Sequence, residues 1–491
     1  MRRATLLAVG CVLLSAWTAT AGNWGHWRGD EGNGVSLDAK PPTEWSSTKN
    51  VKWKVPVPGR GSGSPVIWGN RVFVVSAVTE NEDDQLAQQR EPQRTRRQPN
   101  DRPPRGPGEA SDRKPNDRGP DDRRFGDRRP DDRRPSGRRP GGRGPGGRGG
   151  RGPGRAAPTT SFEFTVFCFD RATGDLLWKQ VATKATPHQA THSTNGFASA
   201  SPCTDGRHVY AHFGSRGLYC YTMDGKPVWK RDDFGKMETR NSFGEGSSPT
   251  IAGDLILLPW DHEEQSYLYA LDKSTGRTIW QAERDEPSCW ATPLVVDNGG
   301  KQQVIMNGQT SARAYDLKTG EELWRCAGQT ERPIASPVAA GKLVFIGSGH
   351  RGSFLGAFRL DGQGDIEQTD HVVWTVDRDT PDIASPLLSD GRLYFHKGKS
   401  GLISCFDAGA GKPHYTAQRV EGLRTIYASP IAAGGHVYLT DRSGTTVVLR
   451  DADEFEIVAT NSVDETVDAT PAPVDNELFI RGEEHLYCIA E

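Results

Sequence analysis

The run Asp261-His262-Glu263-Glu264-Gln265 sets an imidazole among three carboxylates. Carboxylate oxygens suit hard cations and imidazole suits transition metals, so Asp261, His262 and Glu264 are candidate ligands for a metal or a cationic ligand. A solvated loop tip has the same composition. His192, in Thr-His-Ser-Thr-Asn-Gly, titrates near neutral pH, which makes it a candidate acid, base or substrate contact, or a hydrogen-bonded loop histidine. Trp290 offers a face for a planar ligand, or fills a core. Arg284, Arg332 and Arg424 could clamp an anion with their forked guanidinium groups, or neutralise neighbouring carboxylates.

His192, Trp290, Arg284, Arg332 and Arg424 belong to a larger set with Arg60, Asn195, Glu245, Glu286, Asp379, Asp382, Tyr427, Asp464 and Asp468, while Asp261–Gln265 belongs to a second set of loops. Every member of the larger set stands shortly ahead of a Ser-Pro or Thr-Pro pair. No nucleophile stands in a pattern with a paired base, and no metal motif has diagnostic spacing, so no catalytic residue is assigned and recognition is the default. Of eight cysteines, none lies in a CxxC, a vicinal pair or a CxxCH. Neither a zinc framework nor a covalently held haem is indicated. Cys168, Cys220, Cys405 and Cys488 occupy one repeated position and read as small buried side chains, while disulfides among the others stay open.

What must position such residues is a repeat. Ser/Thr-Pro followed by a short apolar segment occurs at Ser64, Ser201, Ser248, Thr292, Ser336, Ser385, Ser429 and Thr470. Beyond the first interval the spacing has the length of a propeller or solenoid unit. Between markers the pattern reads as four short strands rich in β-branched and aromatic residues. "DRATGDLLW", "DKSTGRTIW" and "DLKTGEELW" close the hairpin between strands three and four. There the Asp bonds to the backbone ahead and the Gly takes a positive φ. The tryptophan then lies on the outermost strand, where it fills the gap between neighbouring sheets. The expected fold is all-β: an eight-bladed β-propeller of four-stranded antiparallel blades. The last unit lacks a fourth strand, and "NVKWKVPV" at 50–57 has the pattern to supply it, closing the ring without an exposed edge. The loops before each Ser/Thr-Pro and those joining strands two and three share one face, opposite the Thr-Gly turns. The candidate residues are therefore expected around the channel mouth on that face.

Residues 1–21, with Arg2, Arg3, an apolar run and Ala19-Thr20-Ala21, read as a signal peptide; lipidation of Cys11 is a weaker reading because little apolar chain precedes it. Residues 22–80 read as the closing strand and the start of blade one, and 161–491 as the rest of the propeller. Between them, 81–160 is rich in Arg, Pro, Gly and Asp, with nothing to enter a core, and is expected to be disordered. It splits strands two and three of blade one. Basic residues outnumber acidic ones there by 21 to 13, against −2 for the whole chain. Its arginines are expected to fold back on the acidic mouth or to recruit polyanions such as glycans, or simply to serve as a solvated spacer. No later apolar run could span a bilayer.

The repeat "LDKSTGRTIW" with "SSPTIAGDLILL", and the opening "NWGHWRGDEGNGVS" with "VKWKVPVPGRGSGSPVIWGNRVFV", resembles the PQQ-binding-like β-propeller repeat family. That family includes the assembly factor BamB and shares its fold with quinoprotein alcohol dehydrogenases. The resemblance implies a secreted or periplasmic propeller acting as a non-catalytic binding or scaffold module. Its partner would be a protein or polysaccharide of the cell envelope. The chain is expected to be a monomer with no cofactor and no specific nucleic-acid contact. The alternative it implies is a PQQ-dependent dehydrogenase, whose quinone sits between a Trp and, typically, a vicinal disulfide, with Ca²⁺ held by Glu and Asn. This chain has no adjacent cysteines to match that set.

Overall fold

The computed structural model describes residues 22–79 and 156–491. The expected signal peptide, Cys11 and most of the 81–160 insertion lie outside the described residues. The remainder forms eight small sheets, one for each Ser/Thr-Pro marker. In blade one, Val66–Trp68 is innermost, followed by Arg71–Thr79, Phe162–Asp170 and Leu176–Ala185. Thr79 pairs with Phe162, so the second and third strands stay in register on either side of residues 80–155.

The reason for a hydroxyl at each marker is visible along the axis. The Ser64 amide donates to Ser201 Oγ at 2.9 Å, the Ser201 amide to Ser248 Oγ at 2.9 Å, and so on through Thr292, Ser336, Ser385 and Ser429 to Thr470. The Thr470 amide returns to Ser64 Oγ at 3.0 Å. Eight hydrogen bonds thus form a closed circle. Each hydroxyl satisfies a buried amide of the blade before it, a group costly to leave unpaired.

A second set of contacts binds the blades at their rims. Trp53 Nε1 donates to Arg171 O, Trp178 to Met223 O, Trp229 to Lys273 O, Trp280 to Leu317 O and Trp374 to Ala408 O, all at 2.9 to 3.0 Å. Each acceptor lies in the hairpin turn of the following blade. The indole also covers that turn's glycine. A Cβ at Gly320, where φ is +65 to +80 in the sister turns and +75 here, would lie 2.5 Å from Trp280. The Asp of each turn does what its type demands: Asp316 Oδ1 accepts the Lys318 and Thr319 amides at 2.8 and 3.0 Å. Opposite the tryptophan, on the third strand, stands a small residue: Cys168, Cys220 and Cys488 in three blades, Ala270, Ala314 and Ala357 in others. This is why cysteines recur there, each fully buried. All seven cysteines among the described residues are free thiols, so no disulfide joins them.

The last blade contains Ala472–Val474, Glu477–Arg481 and His485–Ile489, and its outermost strand is Val51–Pro56. Trp53 pairs with Cys488 there, so the amino-terminal strand closes the ring as expected. Blade seven has no rim tryptophan. Trp45, 4% exposed, fills that gap from the amino-terminal side and stacks on Tyr438 at 6.4 Å.

Residues 22–40 do more than lead into that strand. Trp24 pairs with Ile67, Gly25 O accepts from Thr204 N, and Val35–Ser36 runs parallel to Ile431–Ala433 on its axial side. Arg28, 2% exposed, donates to the Pro386 and Pro430 carbonyls just past two of the circle's hydroxyls. The segment thus passes the inner strands of blades on both sides of the axis, on the far side of the hydroxyl circle from the mouth. The apolar alternation of residues 50–57 is visible in the sequence; this belt is not, because its bonds are backbone bonds. Another unforeseen addition is Gly364–Asp365, in the long hairpin of blade five, which pairs with Trp324 and Arg325 of blade four.

Candidate functional site

Above the hydroxyl circle lies a cavity of about 260 Å³. Loops of all eight blades line it. Ser62 comes from the first, His192, Thr194, Asn195 and Ser199 from the second, Phe243 and Gly246 from the third and Trp290 from the fourth. Arg332 and Ile334, Ile383 and Lys399, Tyr427, and Asp468 come from the rest. Most precede a Ser/Thr-Pro marker; Lys399 belongs to a loop between the second and third strands, Arg392–His396 and Leu402–Asp407. The proline and hydroxyl fix where the inner strand starts, so residues just ahead converge on the axis.

Aromatic rings make one wall. His192 meets the Phe243 ring edge-on at 5.3 Å, and Phe243 lies 6.5 Å from Trp290. Trp290 Nε1 is anchored to Gly244 O at 2.7 Å. Opposite, the Tyr427 hydroxyl lies 3.3 Å from Thr194 Oγ1, itself 2.8 Å from His192 Nδ1. Cations overlie these rings: Arg332 stands 5.6 Å from the Phe243 centroid and Arg442 stands 4.6 Å from that of Tyr427. Arg442 also holds Asp468 with two bonds of 2.5 and 3.1 Å. Burial raises the Asp468 carboxyl above the usual range, against the pull of Arg442 and Arg60. Asp382, 5% exposed, lies 3.9 Å from both Arg332 and Lys399.

Of the residues expected at the mouth, His192, Asn195, Trp290, Arg332, Tyr427 and Asp468 line it, and Asp382 lies beside its cations. Arg60 is at the rim, 3.3 Å from Glu483 and from the Ser193 carbonyl. Others are drawn into the protein. Arg284, fully buried, makes a two-point bridge to Asp261 at 2.8 and 3.1 Å and bonds the Tyr315 hydroxyl at 2.8 Å. It joins blades three and four rather than clamping a ligand. Glu286, 3% exposed, accepts the Thr310 and Ser311 amides and pairs with Arg313. Glu245 caps the Ser215 amide and pairs with Arg216. The expectation that these three face the mouth is therefore corrected: charges near a blade's outer strand are drawn to backbone amides and counter-charges between blades. Asp379 pairs with Lys397 at 2.7 Å, Arg424 is solvent-exposed, and Asp464 is exposed too.

Phe243, Lys399 and Arg442 also stand at the mouth, outside the residues expected there. Phe243 lies shortly ahead of Ser248, as the polar candidates lie ahead of their markers, and only the restriction to polar residues hid it. Lys399 and Arg442 sit in loops between second and third strands, a set read only at Asp261–Gln265.

In that last stretch the candidate ligands Asp261 and His262 are taken up by partners within the protein. Asp261 is committed to Arg284, His262 Nδ1 accepts the Glu238 amide at 3.2 Å, and the ring's other nitrogen is 3.0 Å from Gln265 O. Among the described residues no three His, Cys, Asp or Glu side chains come together to hold a metal ion. The mouth also fits a quinone with Ca²⁺ poorly. Trp290 offers a ring, but the lining carboxylate, Asp468, is engaged by Arg442, and the described cysteines are buried in the blades away from the cavity.

Comparison with known proteins places this arrangement. Residues 163–369 match the family model described as outer membrane protein assembly factor BamB. Tetrathionate hydrolase of Acidithiobacillus ferrooxidans is 24% identical over 299 residues, 56% of this chain and 53% of the hydrolase, so the chain spans about half the length of that curated relative. Among solved structures, quinohemoprotein alcohol dehydrogenase from Comamonas testosteroni superposes with a TM-score of 0.58 at 11% identity, covering 96% of this chain and 81% of that one. BamB from Moraxella catarrhalis gives 0.46 at 13% identity, covering 66% and 91%. At 11% identity the likeness to the dehydrogenase is one of fold. No helix among the described residues is long and apolar enough to cross a membrane.

Proposed function

We propose that this eight-bladed β-propeller, a fold that serves unrelated tasks, is a non-catalytic binding module of the cell envelope whose channel mouth holds its partner. The observation that carries this reading is the convergence of all eight blades on one concave cavity, in which the rings of Phe243, Trp290 and Tyr427 stand among polar and charged side chains. The hydroxyl–imidazole contact of Thr194 with His192 joins residues two apart in the chain and braces the loop. The family match to an assembly factor and the signal-like first residues support action outside the cytoplasm.

Gly246 supplies the test. It lines the mouth, its φ is not positive, and a Cβ there would meet nothing closer than 3.5 Å. Gly246→Phe therefore fills the cavity without straining the backbone. Pull-down from an envelope fraction should recover a partner with the wild-type protein and lose it with Gly246→Phe at an unchanged melting temperature. Retention of the partner by the filled variant would overturn the reading. So would PQQ- and calcium-dependent dye reduction by the purified protein, which would favour the dehydrogenase alternative.

A further inference from the structure

The mouth's polar groups are mostly spent on one another. Asn195 donates to the Phe243 carbonyl and accepts from the Gly196 amide and the Ser199 hydroxyl. Thr194 is shared by His192 and Tyr427, Trp290 is bonded to Gly244 O, and Asp468 is held by Arg442.

Two cations are left short. The close partner of Arg332 is His350 Nδ1, at 2.6 Å. Burial and the Arg332 charge hold that imidazole below its usual range, so it is neutral at physiological pH. The buried Nε of Arg332 has no acceptor among the described residues. Its nearest carboxylate, Asp382, stands 3.9 Å away, the same distance at which it stands from Lys399 Nζ. One carboxylate between two cations leaves an excess of positive charge in a half-enclosed cavity. Such charge in a poorly solvated place draws an anion. Arg332 is moreover held at φ +46, a conformation seldom kept by a residue with a side chain unless its surroundings demand it.

We infer that the mouth takes a small carboxylic acid with an aromatic or aliphatic body. Its carboxylate sits between Arg332 and Lys399, and its body lies against Phe243, Trp290 and Tyr427. A sugar-like body suits the cavity poorly, since its hydroxyls would meet donors and acceptors that are already paired. The cavity of about 260 Å³ exceeds the roughly 150 Å³ that suffices for a benzene molecule. This assignment rests on the mouth being the binding site.

Calorimetric titration of the full-length protein with phenylacetate, hexanoate, phenylacetamide and glucuronate tests it. Both apolar acids should bind saturably, and the amide and glucuronate at least tenfold more weakly. Lys399→Gln, at a half-exposed position, should weaken phenylacetate binding about tenfold with no change in melting temperature, and Arg332→Gln should weaken it further. Equal binding of the amide, preference for glucuronate, indifference to Lys399→Gln, or binding of no acid would overturn the assignment. If no acid binds yet Gly246→Phe abolishes partner capture, the binding-module reading survives and the ligand class falls. If phenylacetate binds and partner capture ignores Gly246→Phe, the ligand class survives and the partner reading falls.

Discussion

The Thr470 amide donates to the Ser64 hydroxyl at 3.0 Å, joining the last inner strand to the first across 406 residues of sequence. Every other bond of the circle repeats this relation, so each hydroxyl reaches from one blade to the buried inner-strand amide of the blade before it. Ser201→Ala orphans the buried Ser64 amide and should cost about 1–3 kcal/mol in urea unfolding. Ser201→Thr should cost little, because Thr292 and Thr470 already serve in the circle. Equal stability of the alanine and threonine variants would show that the circle contributes nothing.

At the rim, Gly320→Ala forces a Cβ against Trp280 at a residue with φ +75. A loss of at least 1–2 kcal/mol is expected from the backbone conformation alone, with more from the displaced indole. Gly435→Ala is the control: φ is +76 there, but no atom lies within 4 Å of the new Cβ. The excess of the first loss over the second measures the docking of the tryptophan.

Arg284→Ala leaves Asp261 buried and unpaired between blades three and four. A loss on the order of 3–5 kcal/mol is expected, and pairing it with Asp261→Ala should recover part of it. At a temperature where the single variant remains folded, phenylacetate binding should match wild type, because neither residue lines the mouth.

Three histidines set an acid limit, His212 and His396 buried and His26 partly so. Burial lowers His26 to about 3, with Arg28 adding to the effect, and lowers His212 and His396 to about 4. Unfolded imidazoles take up a proton near pH 6.5 while these do not, so their contribution is fully present above pH 6.5 and declines as pH falls toward 4. Each adds about 1.4 kcal/mol per pH unit within that window. Melting temperatures should fall steadily from pH 7 to pH 4.5, and His212→Gln should flatten the slope. A flat profile in the wild-type protein would contradict the buried neutral state.

Much of the architecture could be read from residues 316–324 and their echoes, because the Asp, Gly and Trp of one phrase each perform a local task that any reader of turns and strands can name. The hydroxyl circle could not, since its bonds run between repeats and nothing within one repeat shows where a Ser points. The mouth was legible where a residue's place follows from its distance to the marker, as for His192, Trp290 and Arg332. It was not legible for Arg284 or Glu286, where the choice between facing solvent and facing the next blade depends on partners such as Asp261 and Arg313 that lie elsewhere in the chain.

Deleting residues 22–57 removes both the belt and the outer strand of the last blade. The truncated protein should lose cooperative unfolding, seen as a broad calorimetric transition; a transition as sharp as that of the intact chain would refute the closure.

The pairing of Val51–Pro56 with His485–Ile489 also imposes an order on biogenesis. A nascent chain emerging amino end first holds Val51–Pro56 idle until His485–Ile489 has been made. Seven blades can be assembled by then while the eighth still shows a bare flank. Interrupted translation would therefore yield a species prone to self-association, and any helper needed in vivo has its task at this late step.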